Sequence, residues 1–512
     1  GVGQGRVGRG YTPRLMARLS SSTARIRADL PERVIQFGSG RLARGFCDVF
    51  FHAANERADV PWGGRVVVIQ STGGGRSGAF AEQDGLFTVL TRGVRHGEAV
   101  DEATIVSSVS RALSAADEWP VCLAAARQPE IELIVSNTTE VGIRHASSDR
   151  PDASPPESFP AKLAVLLRER CRAFDADPAR APVVVPCELI ENNGDALRSI
   201  VLNLCERWRF DEAVRRWIER DVVFCNALVD RICTEPDDPA AEAQRLGYED
   251  RLLTVVEPYR LWAIQGGEEV RRRLPWAAAD PGVVIAEDIA PFRQRKLRIL
   301  NGAHTASVPA AFLAGHEAVL DMMRDPLTAA FVEGVALREI VPSLEADGVP
   351  QAAEFAREVF DRFRNPFVRH RLLDITLQCT SKVYHRLVPS IRSYHRATGR
   401  LPGRLCLAIA AWLLFSRGTQ SRGGQVQGEL DGRPYPINDE HAGKLMNHWS
   451  GVRPTDPHAV HALVHAVLSD RLLWSESLAT IPGLEDAVAE RIVRMARDGA
   501  RAAIRHENDT AA

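Results

Sequence analysis

The stretch Val34-Ile35-Gln36-Phe37-Gly38-Ser39-Gly40-Arg41-Leu42-Ala43-Arg44-Gly45-Phe46 settles how the first half of the chain is read. A short apolar run suited to a buried strand stops at a Gly-x-Gly turn, and an apparent helix follows, from Phe46 to Ala54. Gly38 lets the chain turn tightly, and Gly40 lets the backbone come close to whatever lies above it. The first turn of the helix then offers N–H groups that have no partner within the helix, a ready seat for an anion.

A second all-apolar strand, Arg65 to Gln70, begins about thirty residues later, the spacing of a βαβ unit around a buried parallel strand. Strand, glycine turn and helix in this order predict an α/β, Rossmann-type domain, with a dinucleotide pyrophosphate on Phe37, Gly38, Ser39 and Gly40. Ala43 stands where a third glycine is usual. NAD is the cofactor expected, but the acidic residue that commonly ends the second strand and holds the ribose hydroxyls is replaced by Gln70 and Ser71, which leaves NADP open, with Arg76 able to meet a 2′-phosphate. A third strand, Ile131–Val135, runs into Ser136-Asn137-Thr138-Thr139-Glu140. Ligands of open parallel sheets lie beyond the carboxyl ends of the strands, which places Asn137 and Thr138 on the cofactor side. A fourth strand precedes Cys187 and runs toward Asn193-Gly194, which reads as a turn, and Val222–Arg231 reads as one more strand closed by a structural Asp230–Arg231 pair.

The second half has another character. From Pro291 to Arg505 nearly everything has helical periodicity. Its opening, Pro291 to Thr305, holds Lys296, Asn301 and His304. At about 100° per residue Asn301 and His304 share a helix face, with Lys296 toward the helix start on a flank of it. The helix dipole and partial burial would both make that amine a better proton donor. The alternative reading is a solvated basic face of Arg293, Arg295, Lys296 and Arg298.

Bulk properties set the limits. A chain of 512 residues accommodates two or three domains, and 45% hydrophobic residues, 25% charged residues and a net charge of -2 describe a soluble globular protein, without a basic patch for nucleic acid or a membrane surface. Nine cysteines with no Cys-x-x-Cys pair point to reduced thiols in the cytoplasm. The longest apolar run, Leu405–Phe415, is far short of the ~18 residues that span a bilayer and reads as a buried helix. The division expected is a disordered leader at 1–29, a dinucleotide-binding domain at 30–285, a helical catalytic domain at 286–505 and a tail at 506–512. His458, His461 and His465 share a helix face, but no cysteine or carboxylate accompanies them, so no metal site is expected.

Taken together, Gln36–Gly40, Ser136–Glu140, Pro186-Cys-Glu-Leu-Ile190 with Asn193-Gly194, Leu228-Val-Asp-Arg231, Lys296-x4-Asn301-Gly-x-His304, Asn365-Pro-Phe367 and Ser381-Lys382 resemble the polyol-specific long-chain dehydrogenase/reductase family of the mannitol dehydrogenase type, nearest its branch acting on ketouronates. The blocks cover roughly residues 33–390 in order. The resemblance implies a Rossmann-type N-terminal domain, a mostly helical C-terminal domain and metal-independent hydride transfer between nicotinamide and a keto-sugar or sugar acid. It implies Lys296 as general acid/base, Asn301 and Asn193 as amide donors to the reacting oxygen and His304 as a contact to a substrate hydroxyl. Family members are often monomers, and a monomer is expected. Mannitol-type members carry an arginine eight residues before the position of Lys382, where this chain has Asp374. Lys382 and Arg386, one turn apart, with Arg369 and His385 nearby, could receive a substrate carboxylate instead. The alternatives are the same machinery acting on fructuronate or a neutral ketose, and a nucleotide-binding sensor without turnover.

Overall fold

The apolar runs pair into one parallel sheet. In the computed structural model, which describes residues 16–24, 29–71, 76–138 and 142–510, the chain divides into two compact units, one running up to 91 and from 101 to 288, the other comprising 92–100 and the chain from 289 on. In the first unit β1 (Glu32–Phe37), β2 (Arg65–Gln70), β3 (Val109–Ser114), β4 (Leu133–Ser136), β5 (Val183–Pro186) and β6 (Val223–Phe224) form a six-stranded sheet in the order β3-β2-β1-β4-β5-β6. Every neighbouring pair is parallel. The central strands read as unbroken apolar runs because both faces are covered: Val34, Val66, Val68 and Leu133 pack into one cluster, and Ile35, Val67, Ile69 and Ile134 into another. This is the expected α/β architecture.

Met16–Ala24, expected within a disordered leader, is placed in the first unit: Leu19 is buried, its N–H donates to Glu249 O at 3.0 Å, and Ser21 Oγ donates to Asp84 at 2.7 Å. Residues 1–15 and 25–28 of that leader, 511–512 of the tail, and Thr72, Thr139 and Glu140 lie outside the described residues. The single strand expected over Val222–Arg231 is two: β6 ends at Phe224, and Ala227–Asp230 joins a separate three-stranded sheet with Leu261–Gln265 and Val283–Ala286. Between them Asn226 turns to Asp195 and Gln265, accepting from Asp195 N at 3.0 Å and donating to Gln265 Oε1 at 2.9 Å. In the core beside β1, Asp48 is fully buried, and desolvation pushes its carboxyl up to about 7.

The second unit is mostly helical, and its chain passes from the first at 288/289. The apolar run Leu405–Phe415 is a helix over Gly403–Phe415, buried except at Leu414 and the first residue. Its N-terminal Arg404 and Leu405 N–H groups each donate to the Glu339 carboxylate at 2.8 Å, satisfying donors that no helical carbonyl can reach. Burial pushes Glu339 up to about 7 despite those bonds. No helix among the described residues is long and apolar enough to cross a membrane.

Candidate active site

The glycine turn is held by its neighbours at the carboxyl ends of β1, β2 and β4. Gly38 has φ +116°, and a Cβ there would lie 2.4 Å from Asn137 O, so no side chain fits. Gly38 N donates to Ile69 O at 3.1 Å, and Asn137 N to Phe37 O at 2.8 Å. At Gly40, by contrast, a Cβ would meet nothing within 4 Å, which leaves that side of the loop open to a ligand. The loop enters a π-helical turn, Ala43–Cys47, ahead of α1 (Asp48–Glu56). Ser39 is buried, and its carbonyl accepts from Arg44 Nη1 at 2.6 Å. Gln70 is also buried, with Oε1 accepting from Ser77 N at 3.1 Å, while Ser71 Oγ is buried without a partner among the described residues. An open glycine backbone and an unsatisfied hydroxyl at the strand ends fit a nucleotide.

Sequence reasoning missed the residue that braces this end of the sheet. Glu188, buried, accepts from Ser136 Oγ, Thr138 N and Thr138 Oγ1, each at 2.9 Å. Only its position directly after a buried strand hints at this. Asn137 Nδ2 donates to Cys187 O at 3.3 Å, tying the same two loops.

Asn193 departs from its expected role. It opens the helix α2 (Asn193–Arg207), not a turn, after Asn192 at φ +52°. Its Nδ2 faces three backbone carbonyls, of Pro186, Glu188 and Ala227, at 3.0–3.1 Å, and its Oδ1 accepts from Gly194 N and Ala227 N. Two N–H bonds shared among three acceptors leave nothing for a substrate oxygen, so Asn193 is a backbone clamp. Gly194 is needed because a Cβ would sit 2.4 Å from the Cys225 backbone.

In the second unit the chemistry-bearing segment is one continuous helix with a fault in it. α3 (Ala290–Arg295) passes into a π-helical turn, Lys296–Asn301, and then into α4 (Gly302–Leu313). In a regular helix Lys296 and Asn301 would point about 140° apart. Closing the turn over five residues brings them toward one side, a correction that spacing alone could not supply, and such turns recur at functional sites. Lys296 is half-buried and well past the first turn, where the dipole invoked from the sequence has faded. The basic neighbours are not a solvated face. Arg298 is buried and bonds Asp347 at 2.6 Å, Ser343 at 2.7 Å and Ser390 at 3.0 Å, while buried Arg295 lies over Phe292 and Phe355.

His304 lies flat on Phe363, ring centroids 3.9 Å apart and planes within 9°, with the His370 ring edge-on at 5.4 Å. Burial, then the charges of His370, Arg362, Arg386 and Lys382, hold its pKa well below the ordinary 6.5, so the imidazole is neutral. Its Nε2 is buried with no partner among the described residues.

The helix α5 (Cys379–Arg386) supplies the cations. Arg386 Nη1 donates to Thr305 Oγ1 at 3.1 Å and to Asn301 O at 3.5 Å, which fixes the guanidinium against the helix that carries Lys296 and His304. Lys382 Nζ donates to Ile375 O at 2.8 Å. Neither has a carboxylate within ion-pair distance among the described residues, and burial lowers the pKa of both. Arg369 and His385 are not gathered with them: Arg369 is exposed beside Glu317 at 3.4 Å, and His385 is exposed against Tyr384. Thr305, Phe363 and His370, none singled out in the sequence, complete the cluster. The three late histidines form no metal group; His461 pairs with Asp486 and His465 with Glu485, each at 2.9 Å, acids that sequence spacing could not reveal.

Comparison with known proteins identifies the family of both halves of the chain. The mannitol dehydrogenase Rossmann domain model matches residues 32–278, and the mannitol dehydrogenase C-terminal domain model matches 288–496. The altronate oxidoreductase of Yersinia enterocolitica is 38% identical over 479 residues, 93% of this chain and 96% of that protein. The chain belongs to the mannitol dehydrogenase family. As a family member it is a dehydrogenase acting on CH–OH groups. The altronate oxidoreductase of Pectobacterium atrosepticum is likewise 38% identical over 93% of this chain and 96% of its own. Among solved structures, the fold is shared with a D-sorbitol dehydrogenase (TM-score 0.72, 20% identity, 94% of this chain and 96% of that one). It is also shared with the Pseudomonas fluorescens mannitol 2-dehydrogenase solved with NAD and D-mannitol (TM-score 0.60, 23% identity, 97% of both chains).

Proposed function

We propose that this dehydrogenase uses NAD(H) to interconvert a ketouronate and its aldonate, tagaturonate and altronate, without a metal. The observation that carries the substrate class is Arg386, locked against Asn301 O and Thr305 Oγ1 yet without a carboxylate of the protein to neutralise it. A half-buried guanidinium in that condition favours an anionic ligand. The relatives at 38% identity carry an activity on such a substrate in their name.

In the reducing direction, bound NADH supplies the hydride that reaches the keto carbon. The Lys296 ammonium gives a proton to the oxygen as negative charge grows on it, and becomes the neutral amine. Asn301 offers amide N–H to the same oxygen, a donor that strengthens as the alkoxide develops. Neutral His304 bonds a neighbouring hydroxyl through Nε2, its plane fixed by Phe363. The positive charge that a metal would bring is supplied by the ammonium, with Lys382 and Arg386 on the substrate carboxylate.

The test is a panel of tagaturonate, fructuronate and neutral ketoses with NADH and with NADPH, followed by absorbance at 340 nm. Highest kcat/KM on tagaturonate with NADH is expected. Preference for a neutral ketose would remove the carboxylate argument, and no turnover on any member would overturn the assignment to this substrate class.

A further inference from the structure

A cavity in the helical unit, of about 530 Å³, is lined by residues that the proposed reaction does not use. Phe312 in its wall lies eight residues beyond His304 on α4, about 12 Å along the helix axis. The volume falls in the range of small-molecule sites.

Two short extended segments build its charged rim. At the first, Val319 N donates to His370 O at 3.0 Å and Leu372 N to Glu317 O at 2.9 Å, pinning residues 370–372 against 317–319. Successive side chains of an extended segment face opposite ways. Arg369 and Arg371 therefore line the cavity, while His370 between them turns its ring to His304. The second segment is the strand Arg433–Pro436 of a three-stranded sheet. Asp431 and Gly432, both at positive φ, form the two-residue connection that leads into it, and Arg433, Pro434 and Tyr435 of the strand line the cavity.

One side of the wall is aromatic and fixed, and His316 also lines the cavity. Tyr435 OH donates to Phe415 O at 2.7 Å, and its ring packs on Phe312 and Phe415 at 4.8 and 5.0 Å. Against the three guanidinium groups stand two carboxylates, of Glu317 and Asp431. Glu317 meets Arg369 only at 3.4 Å with both side chains more than three-quarters exposed, a pair worth little that an anion can displace. Arg371 and Arg433 make no ion pair among the described residues.

We propose that this cavity is a second, regulatory site for a small organic anion, a phosphate monoester or a dicarboxylate. Its charged end meets Arg371, Arg433 and Arg369, and its carbon skeleton lies on Phe312, Leu373 and Tyr435. Occupancy is read at the active site because one extended segment carries the cavity arginines on one face and the neighbour of His304 on the other.

The experiment is calorimetric titration of the full-length protein with glucose 6-phosphate, succinate and inorganic phosphate, on the wild type and on Arg371→Ala/Arg433→Ala. One organic anion is expected to bind, more tightly than inorganic phosphate, and the double variant to weaken it at least tenfold while basal kcat stays unchanged. Bound anion should shift the KM for the sugar substrate by about fivefold or more, the scale of ordinary site-to-site coupling. Absence of binding by all three probes at about 10 mM, a dissociation constant unchanged in the variant, or inhibition that is purely competitive with substrate and equal in both proteins would each overturn the proposal. Binding that weakens in the variant without any change in KM would keep the site and overturn its regulatory role. The binding measurement does not depend on which sugar is the substrate.

Discussion

Replacing Arg386 by Leu tests the substrate assignment most directly. The guanidinium spends Nη1 on Thr305 and Asn301, leaving Nε and Nη2 without a protein partner among the described residues. Two N–H bonds to a carboxylate are therefore available, in the side-by-side geometry that a guanidinium offers. A hydrogen bond to a charged group contributes about 1.5–3 kcal/mol. Lys382 remains to offset part of the loss, so a net cost of about 3 kcal/mol is reasonable, which is roughly a hundredfold in kcat/KM for tagaturonate. A neutral ketose lacks the carboxylate and should lose less than about threefold. Arg386→Lys keeps the charge without the fork and should recover about tenfold of the deficit. The assay is initial rates at 340 nm for both substrates on all three proteins, with thermal unfolding alongside, since the Thr305 bond contributes about 1 kcal/mol to stability. Equal losses on charged and neutral substrates would refute the reasoning, because the side chain would then be supporting the helix and not reading the substrate.

Other consequences can be checked on the same protein. Lys296→Ala should lower kcat by about 10²–10⁴ while NADH fluorescence titration shows cofactor binding intact; near-normal turnover would remove Lys296 from its role. Gly38→Ala forces a Cβ to 2.4 Å from Asn137 O at φ +116°, so NADH affinity should fall at least tenfold, and unchanged affinity would move the cofactor elsewhere. Asn193→Ala strands buried backbone groups and should cost about 2–4 kcal/mol in urea denaturation, with surviving protein keeping its kcat; a selective loss of kcat would restore the amide to catalysis. Glu339 ionises near 4.5 when unfolded but at about 7 when folded, so the folded state holds the extra proton between those values and stability falls as pH rises through that window. Glu339→Gln should flatten that slope by roughly 3 kcal/mol in total, measured by denaturant titration from pH 4.5 to 7.5.

Much of the fold was legible because its signals are local. A short Val and Ile run bounded by turn residues favours a strand covered on both faces, a Gly-x-Gly turn after it leaves few backbone choices, and Lys296, Asn301 and His304 on one segment cannot be separated far by any fold. Those features the chain carries in consecutive residues. What folding added depends on groups distant in sequence. Asn193 becomes a clamp because three carbonyls, those of Pro186 and Glu188 around the end of β5 and that of Ala227, converge on one amide. Arg386 joins the site and Arg369 does not because burial and side-chain partners are settled by segments distant in sequence. The π-turn at Lys296–Asn301 shifts the phase of the helix, and a periodicity argument assumes that phase to be constant. Spacing along the chain thus determined which groups are available, while hydrogen-bond saturation and burial, which are properties of the packed whole, decided which of them remain available for chemistry.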